Sequence, residues 1–250
     1  MSDTVSAAII VHILVVFIAA GFVKGVVGMG LPAVAMGLLC IVMPPAQAAS
    51  VLILPTIITN IWQLAGGPAF GALLRRLWLL MAGTCIGIWL GSDLMTGPHA
   101  HTAAFGLGCV LVAYATLGLA SIQMRVAAKH EPWLSPFIGT ATGLIAGATG
   151  VFAFPLVPYL ASLRLDREEL IQALGLSFMV STLALGASLI GREAFAWSLA
   201  IPSAIALIPA LIGMAAGQWL RRRVHEATFR RCFLIGLFAL GLYIASQNLP

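Results

Sequence analysis

The sequence predicts an all-α polytopic membrane protein. It predicts two inverted-topology repeats, each a glycine-broken re-entrant helical hairpin followed by three transmembrane helices. That makes about eight full spans plus two short return helices. Three observations predict this. Of the 250 residues, 61% are hydrophobic and only 8% charged, against roughly 25% charged in a soluble domain. Apolar runs long enough to cross a bilayer recur along the whole chain. Finally, the pattern G-x-x-x-G-x-x-G at 21–28 returns at 143–150, each time with a proline close behind.

The first span covers 6–24. Its leader "MSDTVSAAII" holds an acid and no basic residue, the reverse of a cleaved signal peptide, so the segment is expected to stay. "GFVKGVVGMGLP" (21–32) then interrupts the apolar run, and the following piece, 31–43, is too short to cross at ~1.5 Å per residue. Full spans are expected at 48–66, 77–94 and 101–120. The second half repeats the order: 133–150, the interruption "GLIAGATGVFAFP" (143–155), a short piece at 153–163, then 170–190, 196–219 and 229–246. Gln47-Ala48 aligns with Gln172-Ala173, and Gly87 and Gly91 with Gly213 and Gly217. The expected halves are 1–124 and 125–250, within a single membrane domain.

Charge placement gives the direction. If 6–43 and 133–163 are hairpins that enter and leave on one side, Arg75, Arg76, Arg125, Lys129, Arg164, Arg167, Arg221, Arg222, Arg223, Arg230 and Arg231 share a face. Only Arg192 lands opposite. By the positive-inside rule the shared face is cytoplasmic and both termini are periplasmic. The net charge of +5 thus reads as orientation and not as nucleic-acid binding. A hairpin that crossed fully would give the same parity. Three crossings per half put the second repeat upside down, the arrangement of secondary transporters with a midplane substrate site.

Two readings of the glycines are physically available. Small residues at this spacing make close helix seams, which is the reading for Gly83, Gly87, Gly91, Gly213 and Gly217. For the two repeated stretches, the short return segments and Pro32 and Pro155 favour broken helices, with each proline in a first helical turn. Bent backbone inside a bilayer survives only against protein or a water-filled cavity. Two return helices would then aim their N-termini, each worth roughly half a positive charge, into one space. The expected ligand is a small anion. Around Gly25, Gly28, Gly30, Gly147, Thr149 and Gly150, three groups on the 48–66 helix complete the candidate site. Thr56, Asn60 and Gln63 lie at i, i+4 and i+7 on one stripe, and amides and hydroxyls donate to an oxyanion without carrying charge. At the aligned positions of the second half stand Ser181, Leu185 and Ser188, with Ser177 one turn earlier; interhelical bonding is the alternative for the serines. Lys24 is an intramembrane cation beside the anion site, or a lysine that snorkels to the headgroups. His12 reads as a packed, hydrogen-bonded residue.

The carboxylates all lie in terminal or connecting stretches, Asp93 at the very end of the 77–94 run, so export is expected to run on membrane potential, at ~2.3 kcal/mol per charge per 100 mV. Cys40, Cys85, Cys109 and Cys232 lie singly in apolar runs and read as small buried hydrophobes. The sequence holds no G-x-S-x-G, no H-E-x-x-H and no paired acids on a helix. The expectation is a non-enzyme with no metal and no cofactor, whose partners are a small anion and the lipid bilayer. An uptake permease or channel for another small anion is the competing reading.

The two glycine stretches, "PTIITNIWQ" and "GTCIGIWLG" together resemble the TauE/SafE family, across about residues 9 to 245. Membership implies a bacterial inner-membrane exporter of sulfite, sulfoacetate or related anions, with two related halves. On this chain the resemblance implies a substrate region at Gly25, Gly28, Gly30, Asn60 and Gln63, with Gly147 and Gly150 opposite. The glycine clusters "GMG" and "GATGVF" are sparser than is common in the family.

Overall fold

A computed structural model describes residues 7–65, 67, 69–96, 100–120, 126–221, 223 and 226–249. These residues form ten α-helices and two single-turn 3-10 helices, with no strand among them. The helices are α1 (Ala7–Val27), α2 (Leu31–Leu39), α3 (Pro45–Ala65), α4 (Phe70–Thr96), α5 (Ala100–Ala120), α6 (Glu131–Thr149), α7 (Leu156–Ser162), α8 (Arg167–Gly191), α9 (Ala200–Arg221) and α10 (Glu226–Gln247).

Seven of them are long and apolar enough to cross a membrane: α1, α3, α4, α5, α8, α9 and α10. The eighth expected span, α6, has 19 residues but falls short in hydropathy. Its sequence "EPWLSPFIGTATGLIAGAT" spends many positions on glycine, threonine and proline, because one whole side of it lies against another helix. The outer surface is apolar, as lipid requires. All six tryptophans are exposed: Trp62, Trp78, Trp89, Trp133, Trp197 and Trp219. They lie toward helix ends, where indole rings meet the headgroups. Two of the four cysteines depart from expectation. Cys109 and Cys232 are exposed while Cys40 and Cys85 are half-buried; a thiol is apolar enough to face lipid as readily as core.

Both glycine stretches break the helix. Gly28 and Gly30 take φ of 82° and 100°, and Gly150 takes 72°, left-handed values that a side chain disfavours. The Gly28 amide closes the last turn of α1 on the Lys24 carbonyl at 2.8 Å, and the Gly150 amide does the same for α6 on Ala146 at 2.7 Å. Pro32 falls in the first turn of α2, as expected. Pro155 differs: it is the N-cap of α7, one position ahead of the helix, after a cis peptide bond to Phe154. The α7 helix itself has only seven residues. The equal pair of helix N-termini that the sequence suggested is therefore reduced to one, that of α2, since a two-turn helix has little dipole to offer.

Packing joins the halves. α4 runs along α6, α1 along α9, α3 against α8, and α5 against α10. The first two pairs approach so closely that glycine is obligatory. A Cβ on Gly143 would lie 2.8 Å from the Gly87 Cα, and one on Gly213 would lie 2.9 Å from the Phe22 amide nitrogen. The seams anticipated at Gly83, Gly87, Gly91, Gly213 and Gly217 are thus real. In α3, Pro55 has no N–H for the Val51 carbonyl four residues earlier. Ser203 of α9 donates to that carbonyl instead, at 2.7 Å.

Substituting Gly143→Leu should lower stability by about 3 kcal/mol or more, since rigid backbone stands where the side chain must go. Gly71→Ala is the matched control: nothing lies within 4 Å of its added Cβ, and the helix gains from alanine. Thermal unfolding of the purified proteins measures both, with the first melting several degrees lower and the second no lower than wild type.

Candidate functional site

Lys24 sits in the last turn of α1, one turn before the first break, and is only 4% exposed. A lysine in that position must find acceptors inside the protein. Its Nζ donates to Thr59 Oγ1 at 3.0 Å and to Asn60 Oδ1 in a short contact. Both partners are neutral and both belong to α3. Thr59 can accept because its own hydroxyl proton is directed to the Pro55 carbonyl at 2.8 Å, the very carbonyl one turn below. Snorkelling is ruled out by this geometry: the ammonium points into the helix bundle.

With Oδ1 turned to the ammonium, Asn60 must direct its Nδ2 elsewhere. That nitrogen is buried and has no partner, and neither has Thr56 Oγ1 one turn before it. Thr56, Thr59 and Asn60 are all 0% exposed. An unmet buried donor loses its hydration and gains nothing in return, at about 1–3 kcal/mol. Lys24 also retains a third N–H. Ammonium, amide and hydroxyl together form a set of donors short of acceptors, the complement of an oxyanion.

Gln63, the third member of the stripe, turns to the break. Its Nε2 donates to the Gly28 carbonyl at 3.1 Å and to the Ile171 carbonyl of α8 at 2.8 Å, while its Oε1 is buried and unpartnered. Gln172, beside Ile171, reaches back to the end of α3, donating to the Leu64 and Gly67 carbonyls at 3.0 and 2.6 Å and accepting from the Ala69 amide at 2.9 Å. Gln63 thus ties the first break to the start of α8, and Gln172 ties the start of α8 to the end of α3.

The second break is built differently. Val151, Phe152 and Ala153 run through it without helix and are buried. Thr149 Oγ1 donates to the Ile145 carbonyl at 2.7 Å and accepts from the Val151 amide at 3.3 Å, which closes the end of α6. Gly150 faces α2: a Cβ there would lie 2.7 Å from Met36 Cε. On α8, Ser181 donates to the Ser177 carbonyl at 2.8 Å, and Ser177 Oγ is buried without a partner. Gly25 and Gly147 lie in the helix seams, against α9 and α4, where an added Cβ would come 2.9 Å from the Gly217 Cα and 2.8 Å from the Ser92 amide. Gly30 packs on Val23 and Phe233. Lys24 therefore gathers Thr59 and Asn60, with Thr56 one turn earlier on α3 and Gln63 and Gly28 adjoining.

A cavity of about 820 Å³ lies between α5, α6, α7 and α10. Val27 and Met29 from the first break and Phe154 and Pro155 from the second all line it. The Tyr114 hydroxyl of α5 lies 3.4 Å from Met29 Sδ. At the far end of α4 a polar knot closes the bundle. Arg192 pairs with Asp93, donates to Ser92 Oγ at 2.9 Å and to the Trp89 carbonyl at 2.6 Å, and the Ser92 and Ser188 hydroxyls meet at 2.5 Å. His12, as expected, is simply hydrogen-bonded, with Nε2 3.0 Å from the Leu38 carbonyl.

The family model for the sulfite exporter TauE/SafE matches residues 13–244. This chain belongs to the TauE/SafE family. No curated protein and no solved structure matches it. The family is one of membrane transporters, which accords with the seven apolar spans and with the non-enzyme expectation. Within this TauE/SafE chain, sequence reasoning passed over Thr59, although its place at i+3 from Thr56 puts it on the same stripe. It also passed over Thr142 of α6, whose Oγ1 is buried and unpartnered, and the lining of the cavity, which has no local signature.

Lys24→Met should leave the melting temperature unchanged or raised, since an unpaired buried charge is replaced by an apolar chain of similar length. Gln63→Leu should lower stability by about 1–3 kcal/mol, having stripped a shared donor from two half-buried carbonyls. Thermal unfolding of the two variants side by side tests the opposite signs.

Proposed function

We propose that this chain is a secondary transporter that exports a small anion, sulfite or an organosulfonate, across the bacterial inner membrane by alternating access. One observation carries the reading: a buried ammonium whose described partners are neutral, set beside a buried amide nitrogen and a hydroxyl with nothing to donate to. An oxyanion held by Lys24, Asn60 Nδ2 and Thr56 Oγ1 satisfies all three, and the N-terminus of α2 adds its dipole from the same break. Gln63, Gly28 and Gly30 keep that break open to the ligand; Thr149, Gly150, Ser177 and Ser181 form the facing side. Gly25 and Gly147 serve by letting the broken helices slide on their seams.

Inversion of residues 1–124 relative to 125–250 gives the mechanism. Matching α1 with α6 and α4 with α9 turns the α4–α6 pair into the α9–α1 pair, while α3–α8 and α5–α10 map onto themselves. This exchange is what a two-fold axis in the membrane plane would produce, and it supports rocking of one half on the other around a fixed midplane site. The basic loops orient the chain with both termini periplasmic. Among the described residues no acid is buried beside Lys24, and Glu131 and Asp93 are held by Arg76 and Arg192 at the two ends of α4. Export of a monoanion on membrane potential alone sustains a gradient of roughly fifty-fold at ~100 mV.

The test is flux in proteoliposomes holding a valinomycin-set potential, with sulfite, sulfate, sulfoacetate and small carboxylates offered in turn. Saturable sulfite or sulfonate movement is expected under the potential without a pH gradient. Asn60→Ala should cut it about tenfold or more, one lost charge-stabilising donor being worth ~1.5–3 kcal/mol, with folded protein retained. Preference for a neutral or cationic solute, or flux driven only by a pH gradient, sinks the anion-export reading; single-channel currents would mark a pore.

A further inference from the structure

We infer that Arg164 and Arg230 form an anion-capture subsite at the mouth of the cavity, ahead of the Lys24 seat. The inference rests on the transport reading above and extends it to residues outside the candidate site. Both arginines line the same cavity that receives Val27 and Met29 from the first break and Phe154 and Pro155 from the second. Neither forms an ion pair with a carboxylate among the described side chains. Arg164 follows Leu163, the C-cap of α7, in a left-handed conformation, φ 55°, a position where glycine is the usual residue.

The physical need is clear from the walls. Leu134, Ile138, Val157, Phe233 and Leu234 make the cavity largely apolar, and an oxyanion leaving water for such a space loses hydration it must recover elsewhere. Two cations at the entrance concentrate anions there and lower that barrier, with the effect strongest at low salt. Among the described residues, the opposite end of the bundle shows no such pair of arginines. Its arginine, Arg192, is already committed to Asp93, Ser92 and the Trp89 carbonyl. Capture is therefore one-sided: the protein loads anions with higher apparent affinity from the Arg164 face. The chemistry recognised is an oxyanion head, which a soluble sulfite or sulfonate and an anionic lipid headgroup both present.

The experiment compares wild type, R164Q/R230Q and R164K/R230K in phosphatidylcholine membranes, with sulfite offered from each face in oppositely oriented vesicles. The Gln pair should raise KM about tenfold at the arginine face, with maximal rate within about twofold and no change at the other face. The Lys pair should stay within about threefold, and about 0.5 M inert salt should erase most of the difference. An unchanged KM, or an equal shift from both faces, overturns the subsite. So does competitive inhibition of wild type by added phosphatidylglycerol, which assigns the rim to lipid. Equilibrium binding of sulfite in phosphatidylcholine nanodiscs is read in parallel. A protein that binds sulfite through these arginines yet moves none overturns the transport reading and keeps the subsite, whereas flux with Arg-independent KM does the reverse.

Discussion

A backbone amide or carbonyl freed inside a hydrocarbon layer has no water to bond, and leaving it bare costs several kcal/mol. This protein breaks helix twice along its apolar segments, at Gly28–Gly30 and at Gly150–Pro155. The surrounding architecture follows from sheltering those breaks. Each lies between helices of both halves, and each is tied off by polar groups. Gln63 takes the Gly28 carbonyl, while Thr149 and the Ala146 carbonyl close the end of α6. The glycine seams serve the same end. They let α1 lie on α9 and α4 on α6 at backbone distance, which covers one side of each broken helix with a partner from the other half.

The two breaks are alike in pattern and unlike in chemistry. The first leads into a nine-residue helix with proline in its first turn and has a buried lysine one turn upstream. The second leads through buried extended backbone into seven residues of helix, and the residue corresponding to Lys24 is Ala146. Positive potential is therefore concentrated on one side of the site. A single ammonium held by neutral oxygens is a poor resting arrangement for the protein, and a good one for the anion seat proposed above. Stability given up at such a place is characteristic of functional residues.

Much of this was readable in the chain itself. The spans, both break positions and the Thr56–Asn60–Gln63 stripe follow from local rules: apolar length, left-handed glycines and a 3.6-residue period. Errors arose where a local rule met its neighbours. The hydropathy of α6 is diluted because one side of it packs on α4, Pro155 caps α7 from outside, and Cys109 and Cys232 face outward.

Composition and periodicity determined that the chain lives in a membrane, where its helices bend, and which polar side chains share a face, because each of these depends only on residues a few positions apart. The partner of Lys24 lies 35 and 36 residues away, and Gln63 reaches across 108 residues to Ile171. Those meetings, the choice of which glycines line seams, and the cavity lined from both breaks were decided by packing between halves. No local spacing encodes them, since the contact that selects each partner exists only once distant helices have come together.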